Sequence, residues 1–393
     1  MPSSCGIASS ASILVSLRTA FERASEGMRD PIDFAFVFLS GDSIADKGDD
    51  ILSLWFDLAP GVPVFGGSAE SLVGKRCELE GQSAATVLLI SGWHERPNIY
   101  ELECLRTPDG PSVMGVTEEL IANSHRGLLT IACPVSFSVE LLADVLEYER
   151  FHPSDAVVPI LGGYCSSSNW QAPNLLLAGD KVTVRGAVAM TLPPGWHWHS
   201  VISQGCRPVG DPFIITAMEG QTVVELGGKP AMLQLRDMYA QLPQREQQMM
   251  SNSLMMGRAI SEYRTTFSHG EFLIRAVQGV DSSNQGLVVT DRFQVGQTVR
   301  FHVRDSEAAD ADLQHLLSKS AIGHLAPEAA LLFTCNGRGT RMFSAANHDA
   351  LSVDRQFPDL PIAGMFAAGE FGPMANQNLV HGFTAIVNLL VKS

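Results

Sequence analysis

The turn Cys335–Asn336–Gly337–Arg338–Gly339 places an arginine between two glycines directly after an apolar run, Leu331 to Thr334. That run has the composition of a buried strand, and α/β proteins open their ligand sites at the carboxyl ends of such strands. Gly337 and Gly339 allow backbone to approach a bound molecule closely. Arg338 carries a planar fork that matches a carboxylate. Downstream, Gly369–Glu370–Phe371–Gly372–Pro373 holds one acid between glycines, and Asn376, Asn378 and His381 follow closely enough to line the same pocket. Two readings of Arg338 stand open. It grips a ligand, or it pairs inside the fold with Glu370 or Asp349.

Two thiols are placed as nucleophiles would be: Cys165 after Gly162–Gly163–Tyr164, and Cys206 after Gly205. A reactive thiol needs a base or a helix start beside it to lower its pKa, and a buried free cysteine is otherwise a small core residue. In Trp196–His197–Trp198–His199, an extended chain puts both histidines on one face and both tryptophans on the other. The histidine pair could begin a metal site, but no third ligand stands nearby, so packing and polar surface are expected there. There is no GxSxG elbow, no Walker loop and no dinucleotide fingerprint at a strand–helix junction. No cofactor and no metal are expected.

The elements that must position these residues recur three times. Phe34 to Leu39 reads as a strand, Asp49 to Leu58 as a helix, and Val62 to Phe65 as a second strand closing on Gly66–Gly67. Leu128 to Ala132, Ser138 to Tyr148 with Ser138 as cap, and Val157 to Leu161 closing on Gly162–Gly163 repeat the order. Leu331 to Cys335, a shorter helix His348 to Arg355, and Leu360 to Ala363 leading into Gly364 repeat it again. Each unit continues behind a glycine into another apolar run: Ala84 to Ile90, Ala187 to Leu192, and Phe383 to Leu390, the last as strand or short helix. The glycine pairs mark either sharp turns or a close approach to the backbone.

Ile13, Leu14, Leu17 and Phe21 have helical spacing. Lys229 to Thr265 reads as two helices broken near Pro243 that bridge the halves of the chain. Phe272 to Val280, Leu287 to Thr290 and Thr298 to Arg304 read as consecutive strands, and Asp305 to Leu317 as a helix with an acidic first turn. The fold class is therefore α/β: repeated strand–helix–strand units forming mixed sheets covered by helices, an αββα-like sandwich in two halves.

With 27 Lys+Arg against 42 Asp+Glu, the net charge of -15 makes nucleic acid and anionic membrane surfaces poor partners. Seven cysteines without a CxxC pair disfavour structural zinc and a disulfide framework. The N-terminus lacks the basic start of a secretory signal, and no apolar run approaches a membrane span. A cytoplasmic location is expected.

Three stretches together resemble the FIST family (F-box and intracellular signal transduction domains). They are Gly205 to Gly210 with Val223 to Ala231; Phe272 to Arg275 running through Gly296 to Asp305; and Leu332 to Arg338 with His348–Asp349 and Gly364 to Pro373. The N-terminal part fits more loosely, with Gly66–Gly67–Ser68–Ala69–Glu70–Ser71 in the place of a Gly-plus-acid turn. The resemblance implies an N-terminal segment over 32–228 and a C-terminal segment over 229–390. It implies a sensory, stand-alone protein with small metabolites such as amino acids as ligands, a possible signalling protein as partner, and no known reaction. An amino acid needs a cation for its carboxylate and an anion for its ammonium, which Arg338 and Glu370 would supply. Cys335, Asn336, Gly337, Gly339, His348, Asp349, Asn376 and His381 would complete that site. The competing classes are a hydrolase or acyl-transfer enzyme using Cys165 or Cys206, and an acidic scaffold for a basic partner.

Overall fold

The computed structural model describes residues 2–108, 110–148, 157–167, 169, 172–262, 271–291, 293–322 and 326–393. Along the chain, the first repeat runs β1 (Ser3–Ser9), α1 (Ile13–Glu26), β2 (Phe34–Ser40), α2 (Gly48–Leu58), β3 (Val64–Ser68), a hairpin of β4 (Leu72–Gly74) and β5 (Cys77–Leu79), then β6 (Ala84–Ile90). The second runs β7 (Asn98–Thr107), β8 (Gly110–Met114), α3 (Glu118–Asn123), β9 (Leu128–Ala132), α4 (Val139–Tyr148), β10 (Ile160–Tyr164), a hairpin of β11 (Leu176–Gly179) and β12 (Lys181–Thr183), then β13 (Ala187–Thr191). The third opens with β14 (Trp196–Gln204) and is then interrupted by β15 (Cys206–Glu219), β16 (Thr222–Leu226), β17 (Lys229–Pro230), α5 (Ala231–Gln241), α6 (Gln244–Asn252), β18 (Leu254–Ala259), β19 (Phe272–Asp281), β20 (Gly286–Val289) and β21 (Thr298–Arg304). It resumes with α7 (Ser306–Ile322), β22 (Pro327–Cys335), α8 (His348–Gln356), β23 (Ile362–Ala367), a hairpin of β24 (Glu370–Met374) and β25 (Gln377–His381), and β26 (Thr384–Lys392).

Two compact units result. The first comprises Met1–Ile202, Leu313–Val380 and Thr384–Ser393; the second comprises Ser203–Asp312 and His381–Phe383. Position 229, where the sequence reading divides the chain, falls at β17, within the second unit.

The first unit contains three sheets built to one plan: β1-β6-β2-β3-β11-β12, β8-β7-β13-β9-β10-β24-β25, and β14-β26-β22-β23-β4-β5. In each, the two strands flanking a helix pair in parallel and the repeat's last strand adds antiparallel to the first. The outer positions are filled cyclically. The hairpin of each repeat leaves its own sheet and extends the sheet of a neighbour, β4 on β23, β11 on β3 and β24 on β10.

This exchange explains the repeated glycines. Gly66, Gly162 and Gly364 stand opposite Val37, Thr130 and Leu332 in the parallel pairs. A Cβ at each would fall 1.8, 2.0 and 1.9 Å from the partner's carbonyl oxygen. Close backbone approach is the reason for glycine here, and it recurs at one register position. Two residues further on, Ser68, Tyr164 and Phe366 each donate a backbone hydrogen bond to the segment leading to or from an exchanged hairpin, at Leu175, Gly369 and Ser71.

Strand alternation sorts the core. Phe34, Phe36 and Phe38 of β2, Leu129 and Ile131 of β9, and Leu331 and Phe333 of β22 meet in one cluster between the sheets. The intervening residues face helices: Ala35, Val37 and Leu39 pack with Leu17, Ile51 and Trp55, and Leu332 packs with Leu313, Leu317 and Val353. Trp196 and Trp198 join the central cluster, as expected from their spacing. On the other face, His197 and His199 bond the hydroxyls of Ser393 and Ser320.

In the second unit the sheet order β15-β21-β18-β19-β20-β16 closes on itself through the β15–β16 pairing, an antiparallel barrel around Val209, Ile215, Val223, Met256, Leu287 and Phe301. The helices read at Lys229 to Thr265 are α5 and α6, but they belong to this barrel unit rather than bridging halves, and the stretch also contains β18. Its positions 263–265 lie outside the described residues. The apolar run from Phe383 is strand β26, not a helix.

Candidate functional site

Arg338 lies in a turn whose geometry follows from β22: its amide donates to Cys335 O at 2.8 Å, and the Asn336 amide donates to Ala367 O at 3.0 Å. Its guanidinium has no exposed surface. Nε and Nη2 each donate to Asp349 at 2.8 Å, one to each carboxylate oxygen. Asp349 also accepts from the Thr334 hydroxyl at 2.6 Å and bonds His348 Nδ1 at 2.9 Å. Burial opposes its charge, but Arg338 and these bonds outweigh that and hold its carboxyl well below the usual range. Phe343 lies beneath the Arg338 guanidinium and stacks on the His348 ring.

The expectation that Arg338 grips a ligand carboxylate therefore meets a fork already occupied. Asp349 takes both of these bonds, and Glu370 acts on Arg338 through its charge. Glu370 is fully buried on β24 and accepts from the Thr384 hydroxyl and amide. Burial pushes its pKa up to about 8 against the pull of Thr384, Arg338 and the Cys335 thiol. Its Oε1 is buried without a hydrogen-bond partner among the described residues.

The structure thus brings Cys335, Asn336, Gly337, Arg338, Gly339, His348, Asp349 and Glu370 together in one charged frame around the end of β22, with Arg338, Asp349 and Glu370 buried and Cys335, Asn336, Gly337 and His348 half-buried. Asn376 instead sits exposed in the β24–β25 turn, beside a separate cavity of 280 Å³ that Asp144 and Glu147 also line. His381 is a residue of the second unit.

The exchanged β4–β5 hairpin ties the first repeat to this frame. Glu78 accepts from the Ala350 amide at 2.9 Å while its own amide donates to Asn347 Oδ1 at 2.7 Å. Burial and the charge of Asp349 raise Glu78 to about 7. Glu80 accepts from the Thr340 amide and hydroxyl at 2.9 and 2.7 Å. Gly339 is needed there twice over: its φ is +57, and a Cβ on it would fall only 2.7 Å from Glu80 Oε1.

An accessible cavity lies at the carboxyl ends of β2 and β3. It measures 110 Å³ and is lined by Gly41, Asp42 and Ser43 after β2, by Ser68 and Glu70 after β3, by Gln82 and Ser83 before β6, and by Ser166 and Ser167 of the second repeat. Glu70 is held at both ends. Its amide donates to Ser166 Oγ at 2.9 Å, and Ser166 Oγ in turn donates to Phe366 O at 2.6 Å. Its carboxylate pairs with Arg341, whose Nη1 also donates to Asn336 O at 2.9 Å. Glu70 is 15% exposed and Arg341 55% exposed, so this cation–anion pair, unlike Arg338–Asp349, reaches solvent. In the sequence Glu70 stands out through its Gly-plus-acid turn, but nothing marks Arg341, which lies 271 residues away.

The two thiols named as nucleophiles are core residues. Cys165 is fully buried, its thiol donates to Leu175 O at 3.9 Å, and burial pushes its pKa far up. Cys206 is buried with Met255, Phe272 and Ile274.

A FIST N domain profile matches residues 33–229, and a FIST C domain profile matches residues 233–373. An uncharacterized protein of Mycobacterium tuberculosis is 36% identical over 356 residues, covering 90% of both chains. An uncharacterized protein of Mycobacterium bovis is 34% identical over 360 residues, again covering 90% of each. No helix among the described residues is long and apolar enough to cross a membrane.

Proposed function

Because the chain belongs to the FIST family, a family of sensory and signal-transduction domains, we propose that it is a cytoplasmic sensor of a small zwitterionic metabolite, an amino acid, read at the cavity at the carboxyl ends of β2 and β3. The observation that carries this reading is the Glu70–Arg341 pair: one anion lining a polar cavity and one solvent-reaching cation bonded to it. An α-ammonium takes the place of Arg341 on Glu70, and the carboxylate so brought in takes up the released guanidinium. The hydroxyls of Ser43, Ser68 and Ser166 and the amide of Gln82 supply the remaining polar contacts. Arg338, Asp349, Glu370 and the Cys335–Gly339 turn act behind this site, fixing the segment from which Arg341 projects. Docking of a signalling partner would read the rearrangement of that segment.

Binding to the native state raises the melting temperature by mass action. A thermal-shift panel of amino acids at millimolar concentration is expected to give at least one hit that Glu70→Gln and Arg341→Gln each abolish. A hit that survives both substitutions, or none across the panel in folded protein, removes the assignment.

A further inference from the structure

We propose that the second repeat carries a separate binding site for an organic monocarboxylate with a short aliphatic body. The site is the cavity at the carboxyl end of β9, in the position that the Glu70 cavity occupies relative to β2. At 620 Å³ it is much larger, within the range usual for small organic ligands.

Its polar lining is made of donors. Arg185 has no carboxylate partner among the described residues, and the backbone around it is fixed by the Thr183 hydroxyl at 3.4 Å. Asn174 is only 5% exposed. Its Oδ1 faces Ser68 Oγ at 3.5 Å, while its Nδ2 has no acceptor among the described residues. Ser136 Oγ accepts from the Gly186 amide at 2.8 Å, which leaves the hydroxyl proton to donate. Among the described residues, no aspartate or glutamate lines the cavity. A guanidinium, an amide N–H and a hydroxyl, with no acid among the described lining residues, are the donor set of a carboxylate site.

The walls are apolar. Val135 and Val184, both lining residues, are 81% and 40% exposed, so an aliphatic chain covering them would remove hydrophobic surface from water. The charge preference is opposite to that of the first cavity, where Asp42 and Glu70 are lining residues and, among the described residues, no lysine or arginine is. Ala172 and Pro173 line both cavities, so an occupant of either one touches the same segment.

Calorimetric titration of the full chain with hexanoate tests the site, with hexanol and hexylamine as matched probes. Saturable hexanoate binding is expected, weakened about tenfold or more by Arg185→Gln, since the charge-assisted bonds are lost. Added salt is expected to weaken it as well, and hexylamine is expected not to bind. Arg185 is exposed, so the variant is expected to fold as the wild type does. Arg29→Gln, which removes an exposed charge from outside both cavities, serves as the charge-matched control and is expected to leave hexanoate affinity unchanged. Absence of saturable binding overturns the proposal, as does equal affinity in Arg185→Gln or hexanol binding as tightly as hexanoate.

Discussion

Replacing Arg338 with methionine removes a guanidinium that has no exposed surface and makes two 2.8 Å bonds to Asp349. Asp349, itself 1% exposed, is then left with the Thr334 hydroxyl and His348 alone. Stranding one member of a buried pair costs about 3–5 kcal/mol. For a unit of about 280 residues, the unfolding entropy is roughly 0.6 kcal/mol/K, which converts that cost to a fall in Tm of about 5–8 °C. Asp349→Asn is expected to cost a similar amount, because it leaves the guanidinium buried without its counter-charge. The double variant Arg338→Met/Asp349→Asn is expected to recover about 2 kcal/mol or more relative to the sum of the singles. Urea unfolding at neutral pH, followed by far-ultraviolet circular dichroism across the four-member cycle, measures this. Single substitutions costing under about 1 kcal/mol, or strict additivity, would refute the reasoning that the pair is the keystone of the frame.

Three further outcomes follow from the same structure. Gly66→Ala, Gly162→Ala and Gly364→Ala each put a Cβ within 2.0 Å of a carbonyl oxygen; each is expected to abolish soluble expression or lower Tm by more than about 5 °C, by a mechanism of steric overlap in the core, whereas Gly81→Ala, which meets nothing within 4 Å, pays only for its positive φ. Glu370, raised from 4.5 to about 8 by burial and faced by Thr384, Cys335 and Arg338, stabilises the fold fully below its unfolded pKa and loses that contribution as pH rises through 8. Thermal melts from pH 6 to 9 are therefore expected to fall in the wild type and to flatten in Glu370→Gln, with a residual slope near pH 7 from Glu78; a wild-type profile that rises over this range contradicts the assignment. Native protein is expected to leave Cys165 unlabelled by iodoacetamide over the time that exposed thiols react, mass spectrometry of tryptic peptides being the readout, because the thiol is buried and its pKa is raised.

The three strand–helix–strand units were legible because their apolar strands and helical periods are local signals. So were the antiparallel runs at Phe272, Leu287 and Thr298 and the opposed faces of Trp196–His199. What escaped is tertiary. The short strands β4, β5, β11 and β12 carry too few residues for periodicity, and nothing local marks a hairpin that leaves its own sheet for the next. Closure of the barrel depends on pairing β15 with both β16 and β21, which lie far apart in sequence. At the site, residue types identified the charged frame, but Arg338 had two acids within plausible reach and only packing selects Asp349. The Glu70–Arg341 pair joins opposite ends of the chain through the hairpin exchange, so no spacing rule reveals it.

Under the proposed function, Glu70 receives the ammonium of an amino acid in the cavity at the carboxyl ends of β2 and β3. Saturation-transfer NMR on an equimolar mixture of the proteinogenic amino acids, with wild-type protein and Glu70→Gln compared at equal concentration, tests it most directly. Transfer to at least one amino acid is expected in the wild type, and its loss is expected in the variant. Transfer of equal strength in Glu70→Gln, or none in the folded wild type, contradicts it.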